Sequence, residues 1–576
     1  MPGFLGEFNA KSVCGGFEPN TDQALINDSI ESEGLYLERR ALNKFGGDKV
    51  FLKSARGVML LDGVIVNKHE LIKRLGVDTL EEALWHLYDT MGSGFMAELR
   101  GTFSGALYDR KRERLLIFAD HIGTHQVFYA ECADSLIFGS EVKYLSGFFK
   151  NNDQKYSLDK VGAYLLLTYG FMQDSHTLLN EVKRLEPGTY LQMDSDGIAA
   201  KRFYKLPKSA TFDGDEQAIV DEVDIRFRDA IQRQFEKDNE YGYKHLVALS
   251  GGLDSRMTAC VAHDMGYTRM LNFTFSESDY LDESIPKEIA RDLKHEWLFK
   301  ALDNGLFLRD IDAMTRLSEG KCSYNSLAHS MSILEYLDFN QLGIVHSGQL
   351  GDVILGTYCS KSGGREQAFL GDGAASLTLL HRLDHLGYRP QYDDFETYKL
   401  MGRGLLGINQ GLIGAQSKTE TLSPFYDIDF LDFALSIPVS QRLHHRIYKM
   451  WITRYPHTCN YVWEKSGVKP LASTLRILGR EFYWKNVWRK LPELVLRKAG
   501  LWPRLFEMRK HMNPYQYWYA NNNDLRKSLD TYFDDHISLL DGCPELQGDC
   551  IQLYRGKQMT EKFQVISLLS ALKLFF

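Results

Sequence analysis

The chain has 576 residues, room for two large domains or three to four of average size. Hydrophobic residues make up 44%, and 68 Lys and Arg against 76 Asp and Glu give a net charge of −8, which removes the electrostatic case for a nucleic-acid partner. No apolar run approaches the roughly 18 residues needed to span a bilayer, and residues 1–8 lack the basic start and long apolar stretch of a secretory signal, so a cytoplasmic location is expected. The eight cysteines (Cys14, Cys132, Cys260, Cys322, Cys359, Cys459, Cys543 and Cys550) are scattered without a C-x-x-C pair, as suits reduced thiols. His121/His125 and His381/His385 have i, i+4 spacing but no further ligand in a recognisable pattern, so they read as surface or core pairs.

Short β-like runs at 58–61, 102–108, 114–119 and 135–139, parted by turn residues or charges, predict an antiparallel layer. A helix is expected over 80–90, with Leu80, Ala83, Leu84 and Leu87 on one face. Residues 156–204 read as a connecting segment, with a Pro187-Gly188 turn before a strand at 189–193. The rhythm changes near residue 215. A long helix over 216–235 leads to a strand at 245–249, a Gly-bearing loop and a helix starting near Arg256. A strand at 270–275, a helix from about Glu283 and a strand at 343–346 opening into another Gly-rich loop follow. Strands alternating with helices predict a parallel α/β sheet, whose ligands bind at the carboxyl ends of its strands.

The loop Ser250-Gly251-Gly252-Leu253-Asp254-Ser255 carries the chemistry. Its glycines let backbone N–H groups close on an anion, and the following helix adds its positive end. Ser250 and Ser255 can donate to phosphate oxygens, whereas Asp254 needs a partner such as Mg²⁺ shared with a nucleotide. A Gly-Gly turn with a Ser/Asp helix cap would have the same local sequence, but the apolar strand before it and the amphipathic helix after it favour a phosphate loop.

The loop resembles the pyrophosphate loop of the ATP pyrophosphatases, and residues 1–469 resemble the asparagine synthetase family. The resemblance rests on Arg100-Gly101-Thr102-Phe103-Ser104-Gly105-Ala106-Leu107-Tyr108-Asp109, Asp120-His121-Ile122-Gly123, Phe138-Gly139-Ser140-Glu141-Val142-Lys143, Leu185-Glu186-Pro187-Gly188, Arg202-Phe203-Tyr204, Ser347-Gly348-Gln349-Leu350-Gly351-Asp352 and Ser423-Pro424-Phe425-Tyr426-Asp427. It implies an α/β protein of two domains. Residues 1–205 would form a glutaminase-like α+β sandwich of the Ntn-hydrolase type. Residues 206–576 would form a parallel-sheet α/β ATP-pyrophosphatase domain with a helical C-terminal extension.

By the same resemblance Leu249 and Phe275 hold adenine and ribose, and Ser250, Gly251, Gly252, Asp254 and Ser255 hold pyrophosphate. Ser347 and Gly348 contact the nucleotide, Asp254 and Asp352 bind magnesium, and Lys465 is the catalytic lysine, with Lys469 its nearest competitor. ATP and Mg²⁺ are then the cofactors. A small-molecule or peptide carboxylate and an amine or ammonia are the partners, and the family allows a homodimer. The implied reaction is an AMP-forming amide ligation, including ring closure as in β-lactam synthetases and lasso-peptide cyclases.

Two departures mark a specialised branch. Glutamine-dependent members begin Met-Cys-Gly, and this chain has Pro2 there. The family's Asn-Gly-Glu reads Asp62-Gly63-Val64, its glutamine-holding aspartate falls near Leu80, and the arginine before Asp120 is Ala119, although Arg39 survives. A defective glutaminase is expected. The alternatives are a glutamine-hydrolysing asparagine synthetase that matures to expose Cys14, and a non-catalytic scaffold. Gln349 stands where asparagine-forming members have Glu, which puts aspartate in doubt as substrate. Arg256 stands where Ser is common.

Residues 476–510 carry ten Lys or Arg against three Glu, with Trp484, Trp488 and Trp502 interleaved. They predict an amphipathic helical cap or a patch for anionic lipid or an anionic substrate.

Overall fold

The computed structural model describes residues 2–9, 25–132, 135–207, 211–359, 367–392, 394–470, 474–477, 480–483 and 511–576. Cys14 and most of the basic 476–510 stretch, with its three tryptophans, lie outside the described residues.

Two antiparallel sheets stack in the N-terminal part. One is built from β1 (Gly3–Phe8), β2 (Leu25–Ser32), β3 (Leu35–Leu42), β8 (Phe128–Cys132), β9 (Ser135–Gly139) and β10 (Lys183–Arg184), in the order β10-β8-β9-β1-β3-β2. The other contains β4 (Val50–Lys53), β5 (Gly57–Ile65), β6 (Gly101–Asp109), β7 (Arg114–Ala119), β11 (Thr189–Asp194) and β12 (Gly197–Arg202), in the order β12-β11-β7-β6-β5-β4. Period-two alternation gives the inner strands two apolar faces. In β5, Val58 and Leu60 face Phe4, Leu37 and Phe138 of the other sheet. Met59 and Leu61 face the opposite way, into a core shared with α1 (Lys68–Leu75) and α2 (Leu80–Met91). On the far side of the first sheet lie α3 (Val142–Asn151) and α4 (Lys160–Tyr169). The result is a four-layer sandwich.

The 156–204 stretch is not merely a connection. It supplies α4, β10, β11 and β12. Helix α4 escapes an amphipathicity search because Gly162 through Tyr169 are all buried. It packs between the first sheet and the C-terminal helix Met559–Phe575, whose own residues are nearly all buried. That helix and those at Tyr515–Asn521, Asn523–His536 and Pro544–Arg555 form the helical C-terminal extension.

The second sheet system is parallel, ordered β15-β14-β13-β16-β17, with β13 (Lys244–Ala248), β14 (Met270–Ser276), β15 (Glu296–Ala301), β16 (Leu342–His346) and β17 (Thr421–Leu422). Val247 of β13 joins a core with α5 (Glu216–Glu240) and α6 (Leu253–Asp264), while Leu246 packs into the core on the opposite face. After β13 the chain winds outward through β14 and β15, with α7 (Leu281–Leu293) in between, and then returns to the other side of β13 as β16. That reversal opens a crevice at the carboxyl ends of β13 and β16, where open α/β sheets bind ligands.

Buried Asp238, near the end of α5, fixes the crevice from behind. Its Oδ2 accepts from His245 Nδ1 of β13 at 2.9 Å and His346 Nε2 of β16 at 2.8 Å, and its Oδ1 accepts from Ile344 N at 2.8 Å. Against the burial that would raise it, the two imidazoles hold the carboxyl below its usual range. Among the described residues these three are the one group with the makings of a cation site, and their facing atoms are spent on each other. The histidine pairs noted in the sequence act separately. His125 pairs with Glu420 at 3.1 Å, His121 lies buried against Phe203 and Tyr204, and the rings of His381 and His385 lie 5.8 Å apart.

Candidate functional site

Helix α6 begins at Leu253, three residues before the expected start, with Gly252 as its N-cap and no side chain capping it. The first-turn N–H groups therefore stay available to an anion. The loop before it is held from inside. Ser250 N donates to Ser255 Oγ at 3.0 Å, the two seryl oxygens lie 2.9 Å apart, and Gly252 N donates to Ser250 Oγ at 3.2 Å. The Gly251 N–H is not free for an anion, contrary to the expectation from the sequence. It donates to Asp282 Oδ1 of α7 at 2.6 Å, and burial pushes the Asp282 carboxyl up to about 6.

The β16 loop lies directly on this one. A Cβ on Gly348 would stand 2.3 Å from Ser255 N and 2.5 Å from the Asp254 carbonyl carbon, and one on Gly351 would stand 2.7 Å from Asp254 Cγ. Only glycine permits such an approach. It brings Asp352 beside Asp254, although 98 positions separate them. Burial, and after it the Asp352 charge, push Asp254 up to about 7. Tyr448 donates a hydrogen bond to Asp254 Oδ1. Lys465 Nζ pairs with Asp352 Oδ2 at 2.7 Å and holds that carboxyl below its usual range despite its burial. Of the two competing lysines, Lys465 makes this contact.

A cavity of about 610 Å³ opens from the crevice, within the usual range for ligand sites. Leu249, Ser250, Gly252, Asp254, Ser255, Phe275, Ser347 and Gly348 all line it. Gly251, Asp352 and Lys465 adjoin the loop at its edge. Asp282 and Tyr448, distant in the chain, and Arg256, the residue after the loop, complete the arrangement. Arg256 is wholly buried, donates to Gly251 O at 2.7 Å and to Thr458 O at 3.1 Å, and so ties the loop to the segment before Lys465. Sequence marks Arg256 only as unusual and gives no signal for Tyr448.

At the start of β1, where the resemblance would place a glutaminase site, little space remains. A cavity of about 60 Å³ remains, lined by Pro2, Gly3, Asp62, Ser140, Glu141 and Glu420 among others. Lys49 Nζ spans Asp62 at 2.7 Å and Glu420 at 2.9 Å, all three side chains being buried. Arg39 is turned elsewhere, paired with Asp28 at 2.6 Å under the Phe51 ring. Asp120 organises its own turn, accepting from the amides of Ile122, Thr124 and His125 at 3.1 Å each.

Residues 42–204 match the family model of a glutamine amidotransferase domain, and residues 222–386 match that of asparagine synthase. The chain is 27% identical over 214 residues to the glutamine-hydrolyzing asparagine synthetase 3 of Bacillus subtilis, covering 35% of this chain and 33% of that one. It is 22% identical over 324 residues to a putative glutamine-hydrolyzing asparagine synthetase 2 of Methanocaldococcus jannaschii, covering 54% and 61%. With the amidase chyE of Penicillium rubens it shares 25% identity over 358 residues, covering 58% and 49%. The matches thus span between 33% and 61% of these relatives' length. Both domain types, in this order, together with the paired glycine loops, make the chain a member of the asparagine synthetase family.

Proposed function

We propose that the protein is an ATP- and Mg²⁺-dependent amide ligase that adenylates a carboxylate, releases pyrophosphate, and passes the acyl group to ammonia or an amine with release of AMP. One observation carries the reading: Asp254, Asp352 and Lys465 meet where the two glycine loops interlock. Asp254 and Asp352 would hold Mg²⁺. They are hard oxygen donors, and the crowding that raises Asp254 is a fit for a cation. Bound there, the ion would neutralise charge on the triphosphate.

The uncapped first turn of α6 receives phosphate oxygens, with the hydroxyls of Ser250 and Ser255 beside it. Leu249 and Phe275 flank the nucleoside. In the first step a carboxylate oxygen attacks the α-phosphorus and the bond to the β-phosphate breaks. The Lys465 ammonium offsets the charge that grows there. In the second step the amine attacks the acyl carbon, the bond to AMP breaks, and the amine's proton leaves to water. The Gln349 amide cannot take that proton as a carboxylate would. Ring closure within one substrate uses the same two steps.

Glutamine is not the nitrogen source in this reading. Pro2 offers no thiol, and a 60 Å³ cavity falls well below the roughly 300 Å³ of a small ligand site. A non-catalytic scaffold finds less support, because Gly348 and Gly351 still keep the tight approach to Asp254. The cytoplasm remains the proposed location; no described helix is long and apolar enough to cross a membrane.

Pyrophosphate release from ATP, measured with a panel of carboxylates and ammonium, tests the proposal. Release should require Mg²⁺ and a carboxylate, drop at least about 100-fold in Asp254→Ala as for loss of a charge-stabilising group, and yield no glutamate when glutamine replaces ammonium. Equal release from the variant would remove the assignment.

A further inference from the structure

The cavity extends well beyond the nucleotide loops. Past Ser347 and Gly348 its wall continues through Phe171, Ser323, Ser326, Ile408, Leu412 and Tyr515. Segments outside the parallel sheet build this distal half. An antiparallel bridge between Phe171 and Cys322 carries Ser323 to the wall, with Ser323 N donating to Gly170 O at 2.9 Å. The 407–415 stretch closes the other side, so near that a Cβ on Gly407 would stand 2.9 Å from the Phe171 ring.

The charges are sorted along this wall. The carboxylates that line the cavity, Asp254 and Asp282, both belong to the nucleotide half and are bonded to Tyr448 and to Gly251 N. On the distal wall Arg403 is a cation, and no Asp or Glu stands there among the described lining residues. His329 is neutral at pH 7, since burial lowers it to about 4. An ammonium group entering this half would lose water and meet no anion among the described residues, a heavy penalty where it is desolvated.

We infer that the acceptor is a small carboxylate with an apolar body and no free ammonium group, so that aspartate is not the substrate. This rests on the ligase reading above and narrows its substrate class.

The test uses the full-length protein with ATP, Mg²⁺ and ammonium chloride. Pyrophosphate release is compared for aspartate, phenylacetate, 3-(4-hydroxyphenyl)propionate and hexanoate, with ATP binding followed by calorimetry. At least one apolar acid should exceed aspartate tenfold in kcat/KM. Leu412→Glu, which sets a carboxylate on the distal wall, should weaken calorimetric binding of that acid about tenfold, with ATP binding as the check on folding. Aspartate turned over as well as the apolar acids overturns the inference and leaves the ligase reading standing. So does ATP binding with no turnover of any apolar acid. Failure of Mg²⁺-dependent ATP binding overturns the ligase reading, and the inference with it.

Discussion

Lys49 illustrates how a single side chain can close a site. Its ammonium is buried and would lose its proton easily there, yet Asp62 and Glu420 raise it well above the usual lysine range. Glu420 comes from the segment beside β17, so the pair also bolts the amidotransferase-type sandwich to the parallel sheet. Removing one partner of a buried ion group leaves charge without compensation. Lys49→Met should therefore cost about 3–5 kcal/mol in urea unfolding, and a loss under about 1 kcal/mol would show that the cluster is not a bolt. Residue chemistry of this kind was only partly legible beforehand. Asp62 stood out as a departure from the family pattern, but nothing in the sequence tied it to Lys49, 13 positions away, or tied Lys49 to Glu420 across 371 positions. Arg39 was legible as a survivor, yet it pairs with Asp28 on the neighbouring strand.

At the level of elements, the function depends on two loops from adjacent parallel strands sharing one space. Gly348 is the point of contact. Gly348→Ala puts a methyl group against the backbone of Ser255 and Asp254, so the loops must part. ATP affinity by calorimetry should fall at least about tenfold, that is by 1.4 kcal/mol or more, and unchanged affinity would mean the loops do not jointly hold the nucleotide. Elements with a clear period were the readable ones. The strands 114–119 and 135–139 match β7 and β9, and the helix expected over 80–90 runs Leu80–Met91. Two of the elements without a readable period share one physical cause. Helix α4 and the helix Met559–Phe575 are buried on every side, so they have no polar face to reveal a period. The edge strand β15 was missed for another reason, since its residues are mostly half-exposed and carry no apolar alternation.

Across the whole molecule one apolar core runs from the first sheet through α4 and Met559–Phe575 to the parallel sheet, so the two domain types are not independent bodies joined by a linker. Several imidazoles are buried within the fold. Burial lowers His121 to about 3, and His295 and His329 to about 4, from an ordinary 6.5. Below pH 6.5 the unfolded chain takes up protons that the folded one refuses, so stability falls with pH from 6.5 towards 4 and is flat on this account above 7. Thermal unfolding between pH 4 and 8 should show this slope, reduced in His121→Phe; an equal slope in that variant would exclude His121 as a contributor. The central claim concerns which bond in ATP is broken. Phosphorus NMR of the reaction mixture with an accepted carboxylate and ammonium should show AMP and pyrophosphate appearing in equal amounts, and ADP with inorganic phosphate, or ATP left intact under every carboxylate tried, would contradict it.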